Sequence, residues 1–155
     1  KEKGLDNYDD LVAYTEKLSS RFSELSDSIK VTEKRMIEVQ ALQKHIKNYH
    51  DTRQIYVEYR KSGYSKKFFE EHRQEITLHQ AAKKAFDELG LKKLPTIKSL
   101  QVEFAEKLTM KKEAYAELKR VRDELRDLAV HTANYEELRD LEEREKRKEK
   151  EHGRE

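Results

Sequence analysis

Two apolar stripes at helical spacing, one on each side of a short central insert, constrain this chain more than any other feature. The first runs Tyr8, Leu11, Thr15, Leu18, Phe22, Leu25, Ile29, Thr32, Met36 and Val39, with charged or polar residues at most other positions. Steps of three and four keep one face of a helix apolar and make a coiled-coil seam. The second stripe runs Leu118, Val121, Leu125, Leu128, Thr132, Tyr135 and Leu138, and traces back less cleanly through Tyr115, Leu108, Phe104 and Leu100 to Ile97. Strong punctuation falls between the stripes, at Gly63 on one side and at Gly90 with Pro95 on the other. The chain is therefore expected to turn there and to fold as an all-α, long antiparallel helical hairpin, a coiled coil with two short helices packed at the tip.

The rest of the chain suits a narrow dry seam better than a broad core. Charged residues make up 43% of it, with only 4 Gly and 1 Pro in 155 residues, a composition close to that of long helices. Such a seam lets a very polar chain stay ordered. There is no Cys, hence no disulfide framework and no thiolate metal site, which suits a reducing, cytoplasmic setting. No apolar run approaches the roughly 20 residues that span a bilayer, and no signal-peptide core is present, so no membrane insertion is expected. The sequence opens on Lys1 rather than Met, and we expect a piece of a longer polypeptide.

One helical domain over 1–155 is expected, divided into arm 1 (6–61), a tip insert (63–95) and arm 2 (96–150). Asp6 or Asn7 can cap the first helix, and Asp9 and Asp10 suit the positive end of its dipole. At 1.5 Å per residue that helix would be roughly 80 Å long. After Val39 the stripe continues as Leu42, Ile46, Tyr49, Arg53, Tyr56 and Arg60, after one extra step of three that overwinds the seam locally. In the insert, Ser65 can cap a short helix over 66–71, and a second is expected from about Glu75, burying Ile76, Leu78, His79, Ala82, Ala85, Phe86 and Leu89. Gly90 fits the left-handed position past a helix end, and Thr96 can cap the last helix behind Pro95. Tyr8 to Arg60 and Ile97 to Glu149 are each 53 residues, so the arms match in length. The expected pairing sets Phe22 near Tyr135, Ile29 near Leu128, Met36 near Val121 and Val39 near Leu118. From Glu142 to Glu151 the almost unbroken charge run should be a solvated helix end.

Charge is concentrated in the middle of the chain. Residues 41–100 hold 13 Lys and Arg against 7 Asp and Glu, whereas the whole chain carries a net +2. Tyr49, Tyr56, Tyr59 and Tyr64 lie in the same stretch, so cations that neutralise phosphates sit beside rings that stack on bases. Arg53, Tyr56, Arg60, Lys61, Tyr64, Lys66, Lys67 and Arg73 are the candidate contacts to nucleic acid or to a partner. Packing and solvation account for the same tyrosines and lysines without any ligand. His45, His50, His72 and His79 also cluster there, but no zinc-ligand spacing such as HExxH joins them. His79 is expected to be partly buried. No Cys nucleophile, GxSxG elbow, phosphate-binding glycine loop or isolated carboxylate pair is present, so no enzyme, cofactor or metal is expected of this segment.

Two stretches, NYHDTRQIYVEYRKSGYSKKFFEEH from Asn48 to His72 and LHQAAKKAFDELGLKKLPTIKSLQVEFAE from Leu78 to Glu106, resemble the C-terminal helical region of relaxases. These are the mobilisation nucleases of conjugative and mobilisable elements of Gram-positive gut bacteria. The resemblance covers about Met36 to Leu128. It implies a bacterial cytoplasmic context in conjugative DNA transfer and a nuclease domain N-terminal to this region. Neither the family's paired-histidine metal motif nor its tyrosine nucleophile can be placed on this chain, and no catalytic residue is carried over.

A non-catalytic appendage of this kind is expected to work as a docking arm for a coupling protein or an accessory protein of the transfer machinery, or for another copy. An arm that holds DNA along the basic, Tyr-rich tip is the alternative, and a spacer or dimerising coiled coil is the third. Phosphate contacts would make affinity fall steeply with salt, whereas an apolar helix-in-groove contact would not.

Overall fold

The computed structural model describes residues 7–153, nearly all of them in four α-helices, and no strand occurs among the described residues. The helices are α1 (Tyr8–Lys61), α2 (Lys66–Glu71), α3 (Arg73–Glu88) and α4 (Ile97–His152). Their ends follow from local chemistry. The Asn7 side chain accepts from the Asp10 amide at 2.8 Å and caps α1, while the alternative cap, Asp6, lies outside the described residues. At the other end of α1, Gly63 takes φ 72 and the amides of Gly63 and Tyr64 reach back to the carbonyls of Arg60 and Tyr59. That is the Schellman arrangement, and it repeats after α3 with Gly90 at φ 65 and Leu91 bonded to the Phe86 carbonyl. Thr96 Oγ1 accepts from the Ser99 amide and starts α4.

The chain divides into two compact units, Val31–Lys111 and, around it in sequence, Lys1–Lys30 with Lys112–Glu155. In the second of these, Leu11, Leu25, Ile29, Val121 and Leu128 are buried. The Tyr8 ring stacks on Tyr135 at 5.4 Å between centroids, and its hydroxyl donates to Glu136 at 2.7 Å. Tyr14 donates to Glu124, and the Arg21 guanidinium holds both carboxylate oxygens of Glu117 at 2.8 Å. Rising numbers on α1 meet falling numbers on α4, so the two helices run antiparallel in this unit.

The unit Val31–Lys111 has its core at Val39, Leu42, Ile46, Ala82, Phe86 and Leu100, with Tyr49, Leu91, Leu94, Ile97 and Phe104 packed on it. Arg35 reaches Glu103 in a bidentate pair at 2.6 and 2.9 Å. This geometry corrects the expected register. Tyr8 meets Tyr135, where the apolar pattern put Phe22, and Leu42 shares a cluster with Leu100. The last turns of α1, carrying Tyr49, Thr52 and Tyr56, pack on α3, so that length of helix is unavailable to α4. The same packing buries Thr52, whereas Arg53, which continued the seam by spacing, is exposed. Tyr115 is 46% exposed, off the buried side of α4, which passes through Lys111 and Ala114. Leu78 and Leu89 are exposed at 36% and 50%, although the helical pattern placed them on the buried face of α3. From Ala133 to Gly153 every residue of the chain is exposed.

Candidate functional site

The junction of α1 and α2 gathers most of the residues singled out by charge. Behind the Schellman turn, Tyr64 itself adopts φ 58, a conformation L residues seldom take, and its ring stands 57% exposed. Ser65 caps α2 by accepting from the Phe68 amide. Tyr59 is the hub of the aromatic group beneath, with Tyr64 edge-on at 5.3 Å, Phe69 at 5.9 Å and Phe68 nearly parallel at 6.2 Å. Tyr59, Tyr64, Lys66, Phe69 and Glu70 enclose an open slot of about 350 Å³.

Of the candidate contacts, Arg53, Arg60, Lys61, Tyr64, Lys66, Lys67 and Arg73 are all exposed. Arg73 is engaged by the Glu70 carboxylate at 2.7 and 2.8 Å and lies over the Phe69 ring at 5.8 Å. Tyr56 is half-buried and stacks on His79 with centroids 4.3 Å apart, so its ring serves packing. Lys61, Tyr64, Lys66 and Lys67 therefore form the solvent-facing group, with Arg53 and Arg60 on the preceding turns of α1.

His79 closes a second arrangement. Its ring lies between Tyr49, at 4.6 Å, and Tyr56, both nearly parallel to it, and Nδ1 is 3.0 Å from the Thr52 hydroxyl. That hydroxyl also reaches the Asn48 carbonyl, so Thr52 links the imidazole to the α1 backbone. Burial pushes the imidazole pKa down, the charges of Lys83 and Arg53 push the same way, and the Tyr49 carbonyl opposes them. His72 sits at the break between α2 and α3, so no single helix aligns it with His79. Among the described residues no group of three or more His, Cys, Asp or Glu is placed to hold a metal ion.

A feature the periodicity did not disclose lies at the α3–α4 connection. Leu42, Leu89, Leu91, Leu94, Pro95 and Leu100 line an open groove of about 620 Å³, with Lys93, Thr96 and Ser99 at its edge. Arg35 and Glu103 also border it, but they are occupied with each other; Arg35 holds the Glu103 carboxyl below its ordinary range. The only signal in the sequence is the set Leu89, Leu91 and Leu94, which has neither helical nor strand period and reads as a loop. A groove of that volume lies within the range of small-ligand sites, and its open, largely apolar lining also suits a side of a helix.

No helix among the described residues is long and apolar enough to cross a membrane. No protein-family model, no curated protein and no solved structure matches this chain.

Proposed function

We propose that this chain is a non-catalytic helical appendage of a relaxase, working in the bacterial cytoplasm as a docking arm for the conjugation machinery, with α1 and α4 as the two arms of a coiled-coil hairpin. The relaxase context rests on the resemblance of residues 48–72 and 78–106 to that family's C-terminal helical region. The docking role is carried by one observation, the open apolar groove at Leu42, Leu89, Leu91, Leu94, Pro95 and Leu100. Leucines that remain solvent-accessible in a groove gain on burial by a partner, by about 25 cal/mol per Å² of apolar surface. Calorimetric titration of the chain into a purified conjugative coupling ATPase tests this. Leu89→Glu, at a residue 50% exposed, should abolish the heat while leaving helix content unchanged. Equal heats from wild type and variant would refute docking through the groove.

The exposed Tyr64 ring beside Lys61, Lys66 and Lys67 favours a second reading, an arm that holds single-stranded DNA. Rings stack on bases of any sequence while lysines neutralise phosphates, so the binding would be sequence-tolerant and salt-sensitive.

A further inference from the structure

α4 carries a second exposed apolar face. Val130, Leu138 and Leu141 are 59%, 62% and 48% exposed. At about 100° per residue Val130 and Leu141 fall about 20° apart and away from the buried Val121 and Leu128, while Leu138 lies about 60° further round, toward Tyr135. Their surroundings are acidic. From Tyr135 to Glu145 there are 6 Asp and Glu against 2 Arg, and Arg139 is drawn onto the Tyr8 ring at 4.9 Å.

The groove has the opposite character. Between Leu89 and Val102 there are 3 lysines, Lys92, Lys93 and Lys98, and no acidic residue. All 3 are exposed, and none has an ion-pair partner among the described residues. The one carboxylate that lines the groove, Glu103, is already held by Arg35. One copy of the chain thus presents an apolar groove with a cationic rim and an apolar helix face with an anionic rim.

We propose that the groove of one copy takes the Val130, Leu138 and Leu141 face of α4 from a second copy. The proposal rests on reading the groove as a docking surface, for which a second copy at high concentration competes with a partner of the transfer machinery. Leu138 and Leu141, one helical turn apart, enter between Leu89, Leu91 and Leu94, while Glu137 and Glu142 meet Lys92 and Lys93. Groove and face are different surfaces, so two copies that dock each other reciprocally about a two-fold axis close into an isologous dimer, and copies joined head to tail extend into a chain. A single such contact is small beside the roughly 1,600 Å² of a standard interface, so the association is weak and concentration-dependent.

Sedimentation equilibrium of the chain at low and high concentration reads this out. Wild type should gain mass with concentration. Leu138→Glu with Leu141→Glu, and separately Lys92→Glu with Lys93→Glu, should each stay monomeric, with association weakened about tenfold or more per leucine replaced. All four positions are exposed, so helix content should not change. An equimolar mixture of the two double variants should regain a 1:1 complex, because each keeps the surface the other has lost. Since the chain has no Cys, Leu141→Cys and Lys93→Cys chains mixed under oxidation should form a disulfide-linked pair. A wild type that stays monomeric throughout, or a mixture that does not recombine, overturns the proposal. Self-association that survives loss of the two leucines but not of the two lysines also refutes this occupant, while leaving the groove a docking surface. The docking reading fails by its own measure, the titration with Leu89→Glu.

Discussion

Removing the His79 ring should cost this small fold a large share of its stability. The imidazole is 4% exposed, and it stacks on Tyr49 at 4.6 Å and on Tyr56 at 4.3 Å. Each ring contact is worth about 0.5–1.5 kcal/mol beyond area, and the bond to Thr52 about 1 kcal/mol net. His79→Ala loses all three and leaves a gap between the tyrosines, so a loss of about 2–4 kcal/mol is expected. His79→Phe keeps both stacks and loses only the hydrogen bond. The Thr52 hydroxyl retains the Asn48 carbonyl, so that variant should lose about 1 kcal/mol.

Urea unfolding followed by far-ultraviolet circular dichroism at several pH values separates the contributions. The folded pKa of His79 lies below its ordinary 6.5 because of burial first and of Lys83 and Arg53 second. In the acid range the unfolded chain therefore binds the extra proton. Stability from this residue is complete above pH 6.5 and falls as pH drops toward the folded value, with a slope of at most about 1.4 kcal/mol per pH unit. Both substitutions should remove that slope. A loss under about 1 kcal/mol in the alanine variant would show that the stack does not hold α3 on α1, and an unchanged acid slope in the phenylalanine variant would show that the slope does not come from His79.

Five further expectations concern other levels of the structure. Val39→Asp puts a charge at a site that is 0% exposed and should cost about 3 kcal/mol or more, against a milder loss for Phe22→Asp or Leu125→Asp at half-buried sites; equal melting shifts would contradict this. Arg35→Ala breaks the bidentate pair with Glu103, and because both side chains are partly solvated the loss should be at most about 1 kcal/mol and smaller in high salt. Glu103, whose folded pKa is lowered by Arg35, contributes stability above about its unfolded 4.5 that is lost on acidification through the folded value, and Arg35→Ala should flatten that part of the acid titration. Gly90→Ala meets no atom within 4 Å, so the left-handed backbone alone should cost about 1 kcal/mol in urea unfolding, and no change would argue against the turn. Alanine at Arg53, Arg60, Lys66 and Lys67 should leave the melting curve intact and remove binding to an oligothymidine strand in low salt; wild type that shows no such binding there ends the DNA reading.

How much of this was legible before the fold depended on how far the relevant interactions reach along the chain. Four helices, the Asn7, Ser65 and Thr96 caps and the glycine turns after Lys61 and Glu88 all arise from contacts within five residues, and spacing and residue type suffice to place them. The buried face of α1 from Leu11 to Val39 was equally readable, because a period of three and four says which side of a helix is apolar. It does not say what that side meets. Apolar residues of the two stripes could pair acceptably in more than one register, and the choice fell to α3, which takes Tyr49, Thr52 and Tyr56 for itself. That docking moved the seam from Arg53 to Thr52, turned Tyr56 from a surface candidate into a stacking partner, and left Leu89 and Leu91 to open the groove. Local hydrogen bonding thus determined the elements, and competition between distant surfaces for the same apolar face decided how they were used.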